Sequence, residues 1–132
     1  ILELGGAAAA GSGLRLATEV LADGRAWAKF AAICEAQGGL REMPVASHRR
    51  VVEAPSAGRV TSIDNRVLSR AAKLAGAPNA PAAGVDVHVR LGDIVRAGQP
   101  LFTLHAQAPG ELAYARQYVE GRPPIFQISE AS

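Results

Sequence analysis

Two stretches decide the fold of the second half of this 132-residue chain. The first is Ala54-Pro55-Ser56-Ala57-Gly58-Arg59-Val60-Thr61-Ser62-Ile63. The second is Val87-His88-Val89-Arg90-Leu91-Gly92-Asp93-Ile94-Val95-Arg96-Ala97-Gly98-Gln99-Pro100-Leu101. Each places a glycine where the chain must reverse, because glycine reaches positive φ without steric cost. Asp93 can bond the local backbone of its own turn. Valine, isoleucine and leucine recur at alternate positions beside these turns, which is the period of half-buried strands.

Working outward, Val51-Val52 reads as a short strand, Ala54–Gly58 as a turn and Arg59–Ile63 as a strand. Asn65–Ala75 carries Val67, Leu68, Ala71, Ala72 and Ala75 at helical spacing. A Pro/Gly/Ala loop, Gly76–Ala83, follows and is expected to be mobile. Val85, Val87 and Val89 alternate with Asp86, His88 and Arg90, a half-buried strand. Ile94-Val95 and Leu101–His105 are further strands. Glu111–Glu120 is a helix with Leu112, Ala115 and Val119 on one side. Pro123-Pro124 breaks it before a last strand, Ile125–Ile128. Residues 51–132 are therefore expected to be α+β, with short strands and tight turns.

Upstream the period is helical. Gly11-Ser12-Gly13 is expected to cap a helix from Leu14 to Ala22, with Leu14, Ala17 and Leu21 on one face. Asp23-Gly24 stops it, and a second helix runs from Arg25 to Ala36. Trp27, Phe30, Ala31 and Cys34 form its expected buried stripe, and Gly38-Gly39 ends it. Residues 1–39 thus read as an Ala-rich helical hairpin, and residues 40–50 as a linker. Ile1-Leu2-Glu3-Leu4 before Gly5-Gly6 reads as a helix end meeting a glycine stop. A domain rarely begins that way, so the expectation is that this is the C-terminal piece of a larger protein. The bare face of residues 1–39 is then expected to pack on the rest of the parent chain, or to drive self-association.

Composition narrows the function. Hydrophobic content is 48%, enough for a core, but apolar runs are broken by charge well short of the roughly 20 residues that span a bilayer. No secretory signal is read, and no membrane partner is expected. Cys34 is the only cysteine, which excludes an internal disulfide and fits a reducing, cytoplasmic compartment. Its expected role is that of a small buried apolar residue. The formal net charge is +2, too small by itself to imply nucleic acid. Arg49, Arg50, Arg59, Arg66 and Arg70 lack interleaved aromatics, so nucleic acid is not the expected partner.

The candidate constellations are sparse. Gly11-Ser12-Gly13 is no phosphate loop, since the only lysines are Lys29 and Lys73 and neither follows it in register. His48, His88 and His105 lack zinc-ligand spacing. Asp86 and His88 share one strand face and are candidates to be neighbours. No nucleophile-elbow pattern is present, so a triad has no seat.

The pattern of Ala54-Pro55 with Gly58 and Val60, followed by Gly92-Asp93, Val95, Gly98 and Leu101, resembles the biotinyl/lipoyl-like fold. A carrier domain needs a lysine on an exposed hairpin. No lysine follows Lys73, so covalent biotin or lipoate is not expected.

Read in order, the chain resembles the C-terminal third of the thymidine phosphorylase family, the pyrimidine-nucleoside phosphorylases and the related AMP phosphorylases. The likeness runs through Ile1–Gly6, Leu21-Ala22-Asp23-Gly24-Arg25-Ala26, Phe30 and Ala36-Gln37-Gly38-Gly39. It continues through Ala54–Ile63, Ala71–Leu74, Leu91–Leu101 and Ile128-Ser129-Glu130. Leu74-Ala75-Gly76-Ala77-Pro78-Asn79 leading into Gly84–Val89 looks more like the AMP phosphorylase branch. The resemblance implies that residues 1–39 are the last helices of a large α/β domain. It implies that residues 51–132 form a small barrel-sandwich, α/β-hammerhead domain. It also implies a pentosyltransferase parent that is a homodimer and performs reversible phosphorolysis of thymidine, another pyrimidine nucleoside or a nucleoside monophosphate. Inorganic phosphate is the co-substrate, and no cofactor is expected. The family's phosphate- and base-holding motifs fall outside this chain, so no catalytic, substrate-binding or metal residue is carried over to it, and the chain alone is expected to be inactive. The competing reading is a non-catalytic interaction module of biotinyl-like fold.

Overall fold

A computed structural model describes residues 1–129. The chain divides into two compact units, Ile1–Glu42 and Met43 onward.

The first unit holds helices α1 (Gly13–Ala22) and α2 (Arg25–Ala36). Residues 1–8 form hydrogen-bonded turns, Gly5 N–H donating to Ile1 O at 2.8 Å. Ser12 stands at the N-cap of α1 but its hydroxyl caps nothing. The bond comes from Glu3, whose Oε1 accepts from Gly13 N–H at 2.7 Å. The backbone N–H groups of Gly13 and Gly11 hold the Glu3 carboxyl below its ordinary pKa. Gly24, at φ +84°, makes the αL turn between the helices.

The expected buried stripe of α2 is not buried. Trp27 is 63% and Phe30 49% exposed, and Ala31 and Cys34 are only half-covered. Neither helix of the unit contains a buried residue. A helix needs a second layer against its apolar stripe, and two short helices cannot supply one to each other. Trp27 and Phe30 instead pack together, centroids 5.8 Å apart.

The second unit is α+β. Its strands are β1 (His48–Glu53), β2 (Gly58–Ile63), β3 (Gly84–Val87), β4 (Ile94–Val95), β5 (Pro100–Ala106) and β6 (Phe126–Ser129). Its helices are α3 (Asn65–Leu74) and α4 (Pro109–Glu120). The strands form two antiparallel three-stranded sheets, ordered β1-β5-β3 and β4-β2-β6. Strand β1 begins three residues inside the stretch read as linker, because His48–Arg50 pair with Leu104–Ala106. The tail residue Glu130, part of the family likeness, lies outside the described residues.

The two decisive stretches are bonded to each other. Ala54 N–H donates to Gln99 O, and Gly98 N–H donates to Ala54 O. Val60 N–H donates to Asp93 O, and Gly92 N–H to Val60 O. Asp93 Oδ2 accepts from Arg90 N–H at 2.8 Å, closing its own turn. Gly92 and Gly98 hold φ of +92° and +76° there.

The core comprises Val60, Val95, Phe102, Leu104, Ala71, Ala75, Ala115 and Phe126, each at most 4% exposed. Phe102 from one sheet stacks on Phe126 from the other, centroids 5.6 Å apart. Helices α3 and α4 pack on this core through Leu68, Ala71 and Ala115. The valine alternation of 85–89 holds only in part: Val85 is half-buried and Val89 buried, but Val87 is 48% exposed at the end of an edge strand. Gly76–Ala83 is wound into successive turns by bonds such as Ala80 N–H to Gly76 O at 2.9 Å.

Helix α3 starts on Asp64, whose Oδ1 accepts from Arg66 N–H and Val67 N–H, both at 3.0 Å. Asp64→Ala leaves both donors without that acceptor and is expected to lower stability by about 1 kcal/mol. Urea denaturation followed by circular dichroism measures it. Asp64→Ser, which can still cap, should recover most of the loss.

Candidate functional site

Strand β5 alternates. Phe102, Leu104 and Ala106 face the core, so Thr103 and His105 share the opposite face. On β3, Asp86 stands opposite Thr103. On β1, Val51 stands opposite Thr103 and Arg49 opposite His105. The register thus gathers a polar patch on the outer face of this sheet.

Within the patch, His88 Nε2 lies 2.7 Å from Thr103 Oγ1. Thr103 is 6% exposed, so this bond satisfies a buried hydroxyl. His105 Nε2 lies 3.0 Å from Asp86 Oδ2. That contact has poor hydrogen-bond geometry, for the buried Nε2 has no hydrogen-bond partner among the described residues. It is best described as a close carboxylate–imidazole approach, with the Asp86 side chain 72% exposed. Beside it lies a cavity of about 400 Å³, walled by Met43–Ala46, Pro81–Val85 and the Asp86–His105 pair.

Asp86 and His88, candidates to be neighbours or simply part of a solvated strand face, are both exposed. Each reaches diagonally to β5, Asp86 to His105 and His88 to Thr103. Thr103 and the Asp86–His105 approach are what sequence reasoning missed. The signal was the apolar–polar alternation Phe102-Thr103-Leu104-His105-Ala106, but the pairing of β3 with β5 is a long-range fact. Chemically the patch offers two imidazoles, one carboxylate and one hydroxyl already committed to an imidazole. The acid lies beside one histidine and the hydroxyl beside the other, so they do not line up as a nucleophile–base–acid relay.

The three histidines do not converge. His48 stands opposite Ala106, on the core side of the sheet from His105. Among the described residues no group of three or more His, Cys, Asp or Glu side chains could hold a metal ion. The arginines are also dispersed. Arg49 and Arg50 flank a groove with Arg116, Arg66 and Arg70 lie on α3 with Lys73, and Arg59 donates to Gly92 O at 2.8 Å. No helix of the described residues is long and apolar enough to cross a membrane.

Comparison with known proteins supplies what the patch does not. Residues 59–125, from the second residue of β2 to the residue before β6, match the family described as the pyrimidine nucleoside phosphorylase C-terminal domain. Over 130 residues, 98% of this chain, it is 77% identical to the protein named "Putative thymidine phosphorylase 2" of Acidovorax sp. (strain JS42). It is 61% identical over 130 residues to a protein named "Putative thymidine phosphorylase" of Polaromonas sp., again over 98% of this chain. It is 58% identical over 128 residues, 97% of this chain, to one of that name from Tolumonas auensis. In each case the chain spans 25% of the relative's length. On the strength of that match and these identities, the chain belongs to the family of the pyrimidine nucleoside phosphorylase C-terminal domain.

Proposed function

We propose that the chain is the C-terminal quarter of a thymidine phosphorylase, a pentosyltransferase working as a homodimer in the cytoplasm. The whole enzyme would convert thymidine and phosphate reversibly to thymine and 2-deoxyribose 1-phosphate. Phosphate attacks the anomeric carbon, the glycosidic bond breaks and the base leaves with its electron pair. Such a step needs cations and hydroxyls to hold phosphate, and a donor to stabilise the departing base. In this reading those groups lie in the parent chain outside these residues. The chain's own role is to pack on the larger domain and stiffen it as the site closes. Its two small sheets, bonded through the turns at Gly92 and Gly98, form the barrel-sandwich of a hammerhead domain.

The observation that carries the reading is 77% identity over 98% of the chain to a quarter of a protein bearing that name. The nucleoside monophosphate alternative rests on Leu74–Asn79 and Gly84–Val89. Phosphorolysis assays on the full-length parent and on this chain, with thymidine, uridine, cytidine monophosphate and AMP, test both. Base release from thymidine by the parent, and none by the chain, is the expected result. Release from AMP alone moves the enzyme to the other branch, and release from none sinks the phosphorylase reading.

A further inference from the structure

We infer that β1 is an interface strand, through which two copies of this chain pair edge to edge about a two-fold axis at Val51. The inference does not depend on the phosphorylase reading. Strand β1 pairs with β5 on one side only, so its other edge is open among the described residues. It is the longer of that sheet's two edge strands, six residues against four. Arg49, Arg50, Val51 and Glu53 are all exposed. None of the three charged residues has an ion-pair partner among the described residues. Such an edge is a template for a further strand.

The order of side chains says which strand fits. An antiparallel copy with Val51 opposite Val51 of its partner places Arg49 opposite the partner's Glu53, and Glu53 opposite the partner's Arg49. Arg50 then meets the partner's Val52. Faces match in this register, so the core side of one sheet continues into the core side of the other. A shift by one pair in one direction sets Arg50 against Arg50, and parallel pairing in register sets both arginines against themselves. Opposite charges directly across a strand pair stabilise it and like charges oppose it, so one register is selected. Charged edge strands commonly prevent pairing. Here the two signs stand two residues to either side of Val51 and complement themselves, with the β1–β5 register shifting between Val52 and Glu53.

A second feature repeats the pattern. Beside the open edge a groove of about 250 Å³ runs between β1 and α4, and Arg116 and Glu120 line it. These are again a cation and an anion four residues apart, only 3.8 Å from each other and half-exposed.

The test uses the chain at its full natural length carrying Val51→Cys, oxidised with diamide, with the linked peptides identified by mass spectrometry. A disulfide joining the introduced thiols of two Val51→Cys copies is expected, formed well above that of a Ser62→Cys control at an exposed position of β2. Arg49→Glu or Glu53→Arg added to Val51→Cys is expected to weaken pairing about five- to tenfold, read as cross-linking at matched concentrations. The Arg49→Glu/Glu53→Arg double reversal is expected to restore it. Cross-linking at Val51→Cys no greater than at Ser62→Cys, or no recovery in the double reversal, overturns the proposal.

Discussion

Gly58→Ala is expected to unfold the sheet β4-β2-β6. Gly58 is buried at the first position of β2. A Cβ placed there meets Ser129 O at 2.1 Å, Ile128 Cγ2 at 2.7 Å and Ser129 C at 2.9 Å. Two of these three atoms are backbone, so no rotamer change relieves the overlap. Strand β6 must move away from β2 instead. That breaks the register that sets Arg59 opposite Ser129 and Val60 opposite Ile128. It also loosens Phe126, which stacks on Phe102. Forcing atoms into a packed site costs about 1–3 kcal/mol when neighbours can yield, and here the nearest neighbour is a carbonyl oxygen. A loss of about 3 kcal/mol or more is therefore expected, from a domain whose whole stability is of order 5–15 kcal/mol. Gly110→Ala is the matched control. It lies in α4 with nothing within 4 Å of a new Cβ, and is expected to be neutral or stabilising by up to about 1 kcal/mol. Amide hydrogen exchange resolved by peptide reads both. Protection of β2 and β6 should collapse in Gly58→Ala and persist in Gly110→Ala. Retained protection at β6 in Gly58→Ala would mean that the close approach of β2 and β6 is wrong.

The legible part of this fold was the local part. Gly92, Asp93 and Gly98 announce their turns because each acts through its own backbone and its immediate neighbours. Helices α3 and α4 announce themselves by spacing, although α4 opens at Pro109, two residues before the expected Glu111, because a proline suits a first helical position. What failed depended on partners distant in sequence. Ser12 has the chemistry to cap α1, yet Glu3, ten residues away, makes the bond to Gly13. Asp86 and His88 have the spacing of a pair, yet β5 claims each separately. The apolar stripe of α2 is periodic but uncovered, because periodicity shows which face wants burial and not whether anything lies against it. The polar patch on β5 was hidden for the first of these reasons: Thr103 and His105 meet their partners only through the β3–β5 register.

Phe102→Ala is expected to lower the stability of the second unit by about 3–5 kcal/mol. Phe102 is 1% exposed and sits on the central strand of its sheet, opposite Val52 on one side and Val87 on the other. Its ring stacks on Phe126 of the other sheet at an interplanar angle of 19°, so it contributes to both sheets at once. Truncation removes the ring's burial and leaves a cavity between elements that are each bonded elsewhere. The turns at Gly92 and Gly98 fix one side of the gap and the pairing of β2 with β6 fixes the other, which limits collapse into the void. Restricted collapse places the substitution toward the upper end of the range. Phe102→Leu keeps most of the volume and is expected to lose well under half as much. The two are compared by urea denaturation at constant pH. Circular dichroism follows the whole chain, and hydrogen exchange follows β5 and β6. If the stack joins the sheets, protection in β6 falls together with protection in β5, although the altered residue lies in β5. A loss below about 1 kcal/mol, or a fall confined to β5, would show that the sheets are stable independently and that the bonds of the two glycine turns to Ala54 and Val60 suffice to hold them together.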